Sequence, residues 1–216
     1  MTMEIIQDFL NKEHRCRPGG NYNKLLITIH STGNPYSTAR GERNWLDNPT
    51  NTREASWHYV VDETEVIQAI PDNEEAWHCG DTNGNRLSLS VEICESGDRL
   101  KTLKNAAVFA AHKLMELDLT VGDMVRHFDW TDKDCPRILI DKRYIKNDLD
   151  WEWFRKEVEK NMTGEKRYNT IDEIPEWGRE AIKELIDDGC FADPEALDLS
   201  EDMVRMFTVL GRRNMY

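Results

Sequence analysis

The chain has 216 residues, of which 39% are hydrophobic and 32% are charged, and its formal net charge is −13. This composition is typical of a folded globular protein and excludes a disordered chain, and the negative charge disfavours generic binding to nucleic acid. No stretch approaches the roughly 20 consecutive apolar residues that span a bilayer, so we predict no membrane insertion.

The N-terminus lacks the basic start and long apolar run of a signal peptide, so we expect synthesis in the cytoplasm. Ile5, Ile6, Phe9 and Leu10 recur at helical spacing, which predicts a short amphipathic helix. The chain has five cysteines, and their odd number and irregular spacing favour reduced thiols over a disulfide framework.

Three strands are predicted in the first third of the chain. Residues 25–29 are an apolar, β-branched run that ends at His30, which is typical of a buried strand. Residues 57–61 and 66–70 predict two further strands, joined by an acidic turn. Residues 31–51 are rich in Gly, Asn, Pro, Ser and Thr, and this composition predicts a largely irregular loop.

The middle of the chain predicts one strand and two helices. Residues 87–94 alternate apolar and polar side chains, so a half-buried strand would place Glu92 on the face opposite its two apolar neighbours. Apolar residues recur at helical spacing over 103–117 and again over 151–158. Each of these helices has one apolar face that can pack on a sheet.

A change in composition predicts a linker over residues 161–168, between a domain over 1–160 and a small helical domain over 169–216. About fifty residues is near the lower limit for independent stability. We therefore expect the small domain either to pack on the large one or to pair with another copy of itself.

Local signals place two helices in the small domain. Thr170 and Glu173 fit a capping box, although Pro175 could instead start the first helix one turn later. Gly189 fits the C-terminal end of that helix. Ser200, followed by two acidic residues, predicts the start of the second helix.

Three residues outside this small domain are candidate metal ligands: His30, His127 and Cys135. Two imidazoles and one thiolate suit zinc, and three protein ligands leave the fourth position open, as in catalytic zinc sites. Spacing alone makes this a weak pattern, because each residue could equally be an ordinary structural one. A purely structural site would need a fourth ligand, which Cys79 or Cys94 could supply.

Six segments in this order resemble the zinc-dependent N-acetylmuramoyl-L-alanine amidases, a family that includes prophage endolysins and peptidoglycan recognition proteins. The segments are ITIHST (27–32), ASWHYVVD (55–62), AWHCG (76–80), SVEIC (90–94), RHF (126–128) and KDCP (133–136). The resemblance spans roughly residues 20–160. It implies an α/β fold, with a central mixed β-sheet flanked by helices and a zinc-containing groove on one face.

Carried onto this chain, the resemblance implies that His30, His127 and Cys135 hold one zinc ion per chain. Glu92 matches a glutamate that transfers protons, and Lys133 matches a lysine that stabilises the reacting carbonyl oxygen. The same chemistry is physically reasonable, because zinc activates water, a carboxylate moves a proton, and an ammonium group stabilises developing negative charge. Without the resemblance, Glu92 and Lys133 would be interpreted as ordinary solvated residues.

His58 and His78 match positions that line the substrate groove of the family. Trp57 also lies there, at a position where some members have a catalytic tyrosine. Because an indole cannot donate a phenolic proton, the acid–base role should fall on Glu92.

The resemblance implies hydrolysis of the amide bond between N-acetylmuramic acid and L-alanine in bacterial peptidoglycan. Without a signal peptide, we expect an endolysin that reaches the wall after a holin releases it. Two alternatives share the fold: a protein that binds peptidoglycan without cutting it, and a regulator of an RNA polymerase. In the endolysin, we expect the small C-terminal domain to serve cell-wall targeting or self-association.

Overall fold

The computed structural model describes residues 5–164 and 167–213, and the chain divides into two compact units, residues 1–162 and 163–216. The strands are β1 (Ile5–Gln7), β2 (Leu26–Ser31), β3 (Tyr59–Val61), β4 (Val66–Gln68), β5 (Ser88–Ile93), β6 (Met124–Arg126), β7 (Arg167–Tyr168) and β8 (Leu199–Ser200). The helices are α1 (Ala39–Leu46), α2 (Thr82–Leu87), α3 (Arg99–Glu116), α4 (Phe128–Thr131), α5 (Arg137–Ile140), α6 (Trp151–Met162), α7 (Glu176–Asp187) and α8 (Glu201–Gly211).

The first unit contains a six-stranded sheet in the order β1-β4-β3-β5-β2-β6. Strands β3 and β4 pair antiparallel, and the other neighbours pair parallel. Helices flank this sheet, so the predicted mixed sheet with flanking helices is confirmed. None of the helices in the described part of the chain is both long and apolar enough to cross a bilayer.

The predicted N-terminal helix is wrong over the residues that are described, and residues 1–4 lie outside them. Ile5–Gln7 form strand β1, which pairs in parallel with β4 at the edge of the sheet. Ile5 packs against the apolar cluster that contains α3, whereas Ile6 packs against the cluster on the other face. Both isoleucines thus find apolar partners in a strand, and the sheet also satisfies their backbone groups.

Strict alternation along β2 and β5 gives the sheet two different faces. Ile27 and Ile29, with the apolar residues of β5, pack against α3 and α6 in one hydrophobic cluster. Thr28 and His30 alternate with them and therefore project from the opposite face, as Glu92 does on β5. The face without α3 and α6 therefore carries polar side chains at the centre of the sheet.

Helix α1 lies within the segment that was predicted to be loop. The Thr38 hydroxyl caps it by accepting from the backbone N–H of Gly41, and the Asp62 carboxylate accepts from that of Ala39. The helix has a short buried face, formed by Ala39, Arg43 and Leu46. So narrow a face between Gly- and Pro-rich flanks gives too weak a periodic signal to stand out in the sequence.

The second unit has its own small core. Helices α7 and α8 pack together over the β7–β8 pair, and the buried apolar side chains are Tyr168, Ile174, Ile182, Leu185, Leu197, Leu199 and Val204. Gly178 permits this approach, because a Cβ atom there would lie 2.3 Å from Cγ1 of Val204. The Ser200 hydroxyl caps α8, as predicted, whereas α7 begins after Pro175 rather than at Thr170.

Candidate active site

The carboxyl ends of three parallel strands bring the predicted polar residues together. His30 on β2 is the register partner of Glu92 on β5, and β6 pairs with β2 so that Ile29 lies opposite Arg126. His127 directly follows that last residue of β6. Parallel strands end at the same edge of a sheet, which is where ligands of open α/β sheets bind.

Cys135 reaches the same edge through a tight return of the chain. Helix α4 follows His127, and the backbone N–H of Phe128 donates to the carbonyl of Cys135 at 2.9 Å. This hydrogen bond closes the segment between the two ligands into a compact loop. Two side chains eight positions apart therefore face one point.

His30, His127 and Cys135 form a buried cluster whose ligand atoms all lie within 4.8 Å of one another. Nδ1 of His30 is 3.0 Å from Nδ1 of His127 and 3.7 Å from Sγ of Cys135. Tetrahedral zinc, with Zn–N of about 2.0–2.1 Å and Zn–S of about 2.3 Å, would separate such atoms by roughly 3.3 Å and 3.6 Å. The donor set and its spacing therefore fit zinc.

The described residues supply three ligands to this cluster, and the two other candidate thiols are engaged elsewhere. Cys79 Sγ lies 3.4 Å from Oδ1 of Asn85. Cys94 is fully buried among apolar side chains on the same side of the sheet. The arrangement resembles an open catalytic site rather than a four-ligand structural one.

Burial sets the charge state of the cluster. It lowers the pKa of His30 well below its ordinary value, and it lowers that of His127 to about 4, with further depression from the Lys133 ammonium. Burial raises the pKa of the Cys135 thiol to about 12, and the Glu92 carboxylate adds to this effect. The imidazoles are thus neutral at pH 7 and can offer lone pairs to a cation. The charge of a bound cation would in turn favour the thiolate form of Cys135.

The cluster opens into a cavity of about 560 Å³. Four of the predicted site residues outside the cluster line it, namely Trp57, His78, Glu92 and Lys133. A second hollow of about 480 Å³ shares His78, His127 and Lys133 with the first. The two hollows form one groove that passes the candidate metal ligands.

His58 does not reach this groove. Its side chain has no exposed surface, and its two ring nitrogens lie 2.9 Å from the Ser90 hydroxyl and 3.0 Å from the carbonyl oxygen of Glu74. Burial lowers the pKa of His58 to about 3, so the ring is neutral. The structure places His58 behind the groove wall, where it links β5 to the loop after β4. It does not line the groove, although the resemblance implied that it would.

Glu92 has an unusual environment for a carboxyl group. Its Oε2 atom is buried and has no hydrogen-bond partner. Burial raises the pKa of Glu92 to about 8, repulsion from Glu42 adds to the rise, and the positive charges of Lys133 and Arg53 oppose it. A carboxyl group whose pKa lies close to the surrounding pH populates both its charged and its uncharged form, and it is therefore suited to accept and return a proton at pH 7.

The groove also contains residues that the sequence did not single out. Arg53 lies over the Trp45 ring at 5.7 Å, and the side-chain amide of Asn34 donates to Glu42 at 3.0 Å. All four line the cavity. They belong to the segment before β3, where no periodic pattern marks a side chain as facing a site.

Comparison with known proteins gives a consistent family match. Residues 21–138 match the family model described as N-acetylmuramoyl-L-alanine amidase. The N-acetylmuramoyl-L-alanine amidase XlyA of Bacillus subtilis strain 168 is 40% identical over 145 residues, which cover 64% of this chain and 48% of XlyA. The chain spans about half the length of the curated relatives it matches first.

Solved structures are similar over the same part of the chain. The catalytic domain of XlyA superposes with a TM-score of 0.65 at 36% identity, covering 72% of this chain and 99% of that domain. A mutant endolysin from Bacillus subtilis superposes with a TM-score of 0.65 at 35% identity, covering 73% of this chain and 99% of that one.

The environment of Glu92 predicts that metal-free Glu92→Gln is more stable than the metal-free wild type, by a difference that grows as the pH rises. Between its ordinary pKa of 4.5 and the folded value of about 8, the unfolded chain loses a proton that the folded protein keeps. Ionisation therefore lowers wild-type stability progressively through that window, whereas glutamine cannot ionise. Each tenfold change in proton affinity is worth about 1.4 kcal/mol, so we expect a difference of up to a few kcal/mol.

Urea unfolding of both proteins at pH 5 and pH 8, in the presence of a chelator, measures this difference. Glu95→Gln is the matched control, because Glu95 is also buried but accepts hydrogen bonds from Arg137 and from the backbone of Gly33. That substitution should destabilise the protein. Equal stability of Glu92→Gln and wild type at both pH values would contradict the prediction.

Proposed function

We propose, from the premise that this chain belongs to the N-acetylmuramoyl-L-alanine amidase family, that it hydrolyses the amide bond between N-acetylmuramic acid and L-alanine in peptidoglycan. The observation that carries this proposal is the buried His30, His127 and Cys135 cluster, which opens with the unpartnered Oε2 atom of Glu92 into a cavity of about 560 Å³ in the groove. A polymeric substrate needs such an open groove rather than a closed pocket.

His30, His127 and Cys135 are the residues that would hold one zinc ion per chain. When bound, zinc supplies a Lewis acid that activates a water molecule and polarises the substrate carbonyl. The protein contributes neutral imidazoles and a buried thiol. Such burial excludes bulk water and strengthens electrostatic interactions at the reacting carbonyl.

Glu92 is the residue that moves the proton in this proposal. Its carboxylate accepts a proton from the attacking water and returns it to the amine nitrogen as the C–N bond breaks. The raised pKa of about 8 helps the first step, because it makes the carboxylate a stronger base towards the attacking water. Glu92 shares the groove with the metal ligands and therefore lies on the side from which the substrate enters.

Lys133 supplies positive charge at the mouth of the site. It is exposed, lines both hollows of the groove, and lowers the pKa of His30, His127 and Glu92 through its charge. An ammonium group in that position stabilises the oxygen of the substrate carbonyl as it becomes negative. Trp57 contributes apolar surface to the same groove.

The biological setting we propose is lysis of a bacterial cell from within. Similarity to an endolysin from Bacillus subtilis supports this role. Release through a holin-dependent route would bring the enzyme to the wall.

Digestion of purified peptidoglycan tests the reaction. We expect free stem peptides with L-alanine at their new N-termini and glycan strands that remain intact, because the hydrolysed bond is the lactyl amide. Mass spectrometry of the soluble products, with labelling of new amino groups, measures both features. New reducing ends without new alanine amines would mean a glycosidase, whereas wall binding with no cleavage would favour the non-catalytic alternative.

The ligand assignment predicts a loss of zinc and activity together in His30→Ala. Two ligands rarely hold zinc in a defined open geometry, so elemental analysis should fall from about one zinc ion per chain towards zero. His112→Ala is the matched control, because His112 is exposed on α3 and does not line the groove. Glu92→Gln should keep zinc yet lose about 100-fold or more in rate. Full activity of metal-free protein would contradict the assignment.

For the second unit we propose a role in targeting the enzyme to the cell wall. Its small core supports a folded module, and Trp177 on α7 is 43% exposed, with the Arg205 guanidinium 5.5 Å from the ring centroid. An exposed aromatic ring beside a cation offers a surface for carbohydrate or peptide. The residues of this unit lie outside the segment that the family model matches.

Truncation after Met162 separates targeting from structural support. A targeting module predicts a fragment that hydrolyses small muropeptides at the wild-type rate but sediments poorly with whole cell walls. In the full chain, Trp177→Ala should weaken wall binding, whereas Lys183→Ala, at an exposed position of the same helix, should not. A fragment that aggregates, together with normal wall binding by Trp177→Ala, would instead indicate structural support.

A further inference from the structure

His78 contacts a candidate metal ligand from behind. Its Nδ1 atom lies 3.0 Å from Nε2 of His30, the nitrogen that faces away from the Cys135 thiol. The two rings meet edge-on, with centroids 5.1 Å apart. One of these nitrogens must carry the hydrogen and the other must accept it, so the direction of this bond determines which tautomer His30 adopts.

A backbone carbonyl sets that direction. The Ser88 hydroxyl lies 2.8 Å from the carbonyl oxygen of Gly84, which can only accept, so Ser88 donates its single hydrogen there. Ser88 Oγ also lies 3.3 Å from Nε2 of His78. Having no second hydrogen, the hydroxyl can only accept at that contact. His78 therefore carries its hydrogen on Nε2 and leaves Nδ1 as an acceptor.

A second branch of the network agrees with this direction. The Trp130 indole N–H, which can only donate, donates to Thr28 Oγ1 at 3.0 Å. Thr28 and Ser88 are 2.7 Å apart, and Thr28 is left free to donate its hydrogen to Ser88. Each hydrogen in these contacts is then donated once, and each contact joins one donor to one acceptor.

We propose that His78 is a positioning residue, which holds His30 as the tautomer with its hydrogen on Nε2 and its Nδ1 lone pair facing His127 and Cys135. In this arrangement His30 donates to Nδ1 of His78 and presents its free nitrogen to the metal. The inference rests on the proposed zinc site for its consequence, but the hydrogen positions follow from the protein alone. Metal-ligating histidines commonly need such a partner for their second nitrogen.

The backbone around His78 is held as firmly as its ring. The Asn85 side-chain oxygen accepts from the backbone N–H groups of His78 and Cys79, at 3.0 and 3.1 Å. Gly84 allows α2 to sit close enough, because a Cβ atom there would lie 2.3 Å from Sγ of Cys79 and 3.0 Å from the Trp130 ring. The carbonyl that directs the network is thus fixed by close packing.

The competing role for His78 is direct contact with substrate, since it also lines the groove. The two roles differ in what a substitution changes. A positioning residue sets the His30 tautomer and the affinity for zinc, whereas a substrate contact sets KM and leaves both unchanged. Zinc affinity and KM therefore separate them.

The tautomers can be read directly in the wild-type chain. Long-range proton–nitrogen correlation spectra of metal-free protein with ¹⁵N-labelled histidine distinguish protonated from unprotonated ring nitrogens. We expect His30 and His78 both to carry hydrogen on Nε2. Hydrogen on Nδ1 of either ring would overturn the inference, even if the protein binds zinc and hydrolyses peptidoglycan. The expected tautomers in a protein that binds no zinc would instead fail the proposed function alone.

Substitutions then test the consequence for the metal. His78→Leu should weaken zinc binding by about 10- to 100-fold in competition with a chelator, and His78→Asn should recover part of this loss, because its side-chain oxygen can accept from His30. Ser88→Ala should also weaken zinc binding. Ser90→Ala is its matched control, because Ser90 is a buried serine on the same face of β5 that contacts His58 instead. Wild-type zinc affinity in His78→Leu, with a raised KM, would assign His78 to the substrate.

Discussion

Parallel pairing of β2 with β5 and β6 is the constraint on which the candidate site depends. Because side chains alternate along each strand, the pairing that buries Ile27 and Ile29 against α3 and α6 also turns Thr28 and His30 to the other face. A slip of one residue would exchange the two faces and bury the polar set in the apolar core. The hydrophobic side of the sheet thus holds the register that aligns His30 with Glu92.

The polar face is stable because nearly all of its groups end on a fixed partner. His58 joins Ser90 to the Glu74 carbonyl, and the network behind His30 ends on the Gly84 carbonyl. Glu92 is the exception, since one of its oxygens is buried without a partner. Such groups cost stability, and they persist where chemistry requires them. The same carboxyl therefore links the stability of the protein to its proposed activity.

The two units differ in how far local sequence determines them. In the second unit, Ser200 and Pro175 mark helix starts, and the apolar spacing that predicts its helices also supplies its buried residues Ile182 and Leu185. In the first unit, β6 and α2 carry no comparable local signal, and the N-terminal segment has helical spacing yet forms β1. Strand pairing overrides local periodicity there. The edge of the sheet satisfies the backbone hydrogen bonds of the segment, and its two faces offer apolar contacts to Ile5 and Ile6.

By itself, the sequence predicted individual strands and helices from alternation and helical spacing, which are local properties, and it offered His30, His127 and Cys135 as candidate ligands. The mixed sheet and the role of those ligands were implied by the resemblance of its short motifs to the amidase family. Only the tertiary structure decided that Arg53 and Glu42 line the groove and that His58 lies behind it. It also decided which nitrogen of His30 faces Cys135. These outcomes depend on contacts between residues far apart in the chain, which parallel strand pairing sets and no local pattern records.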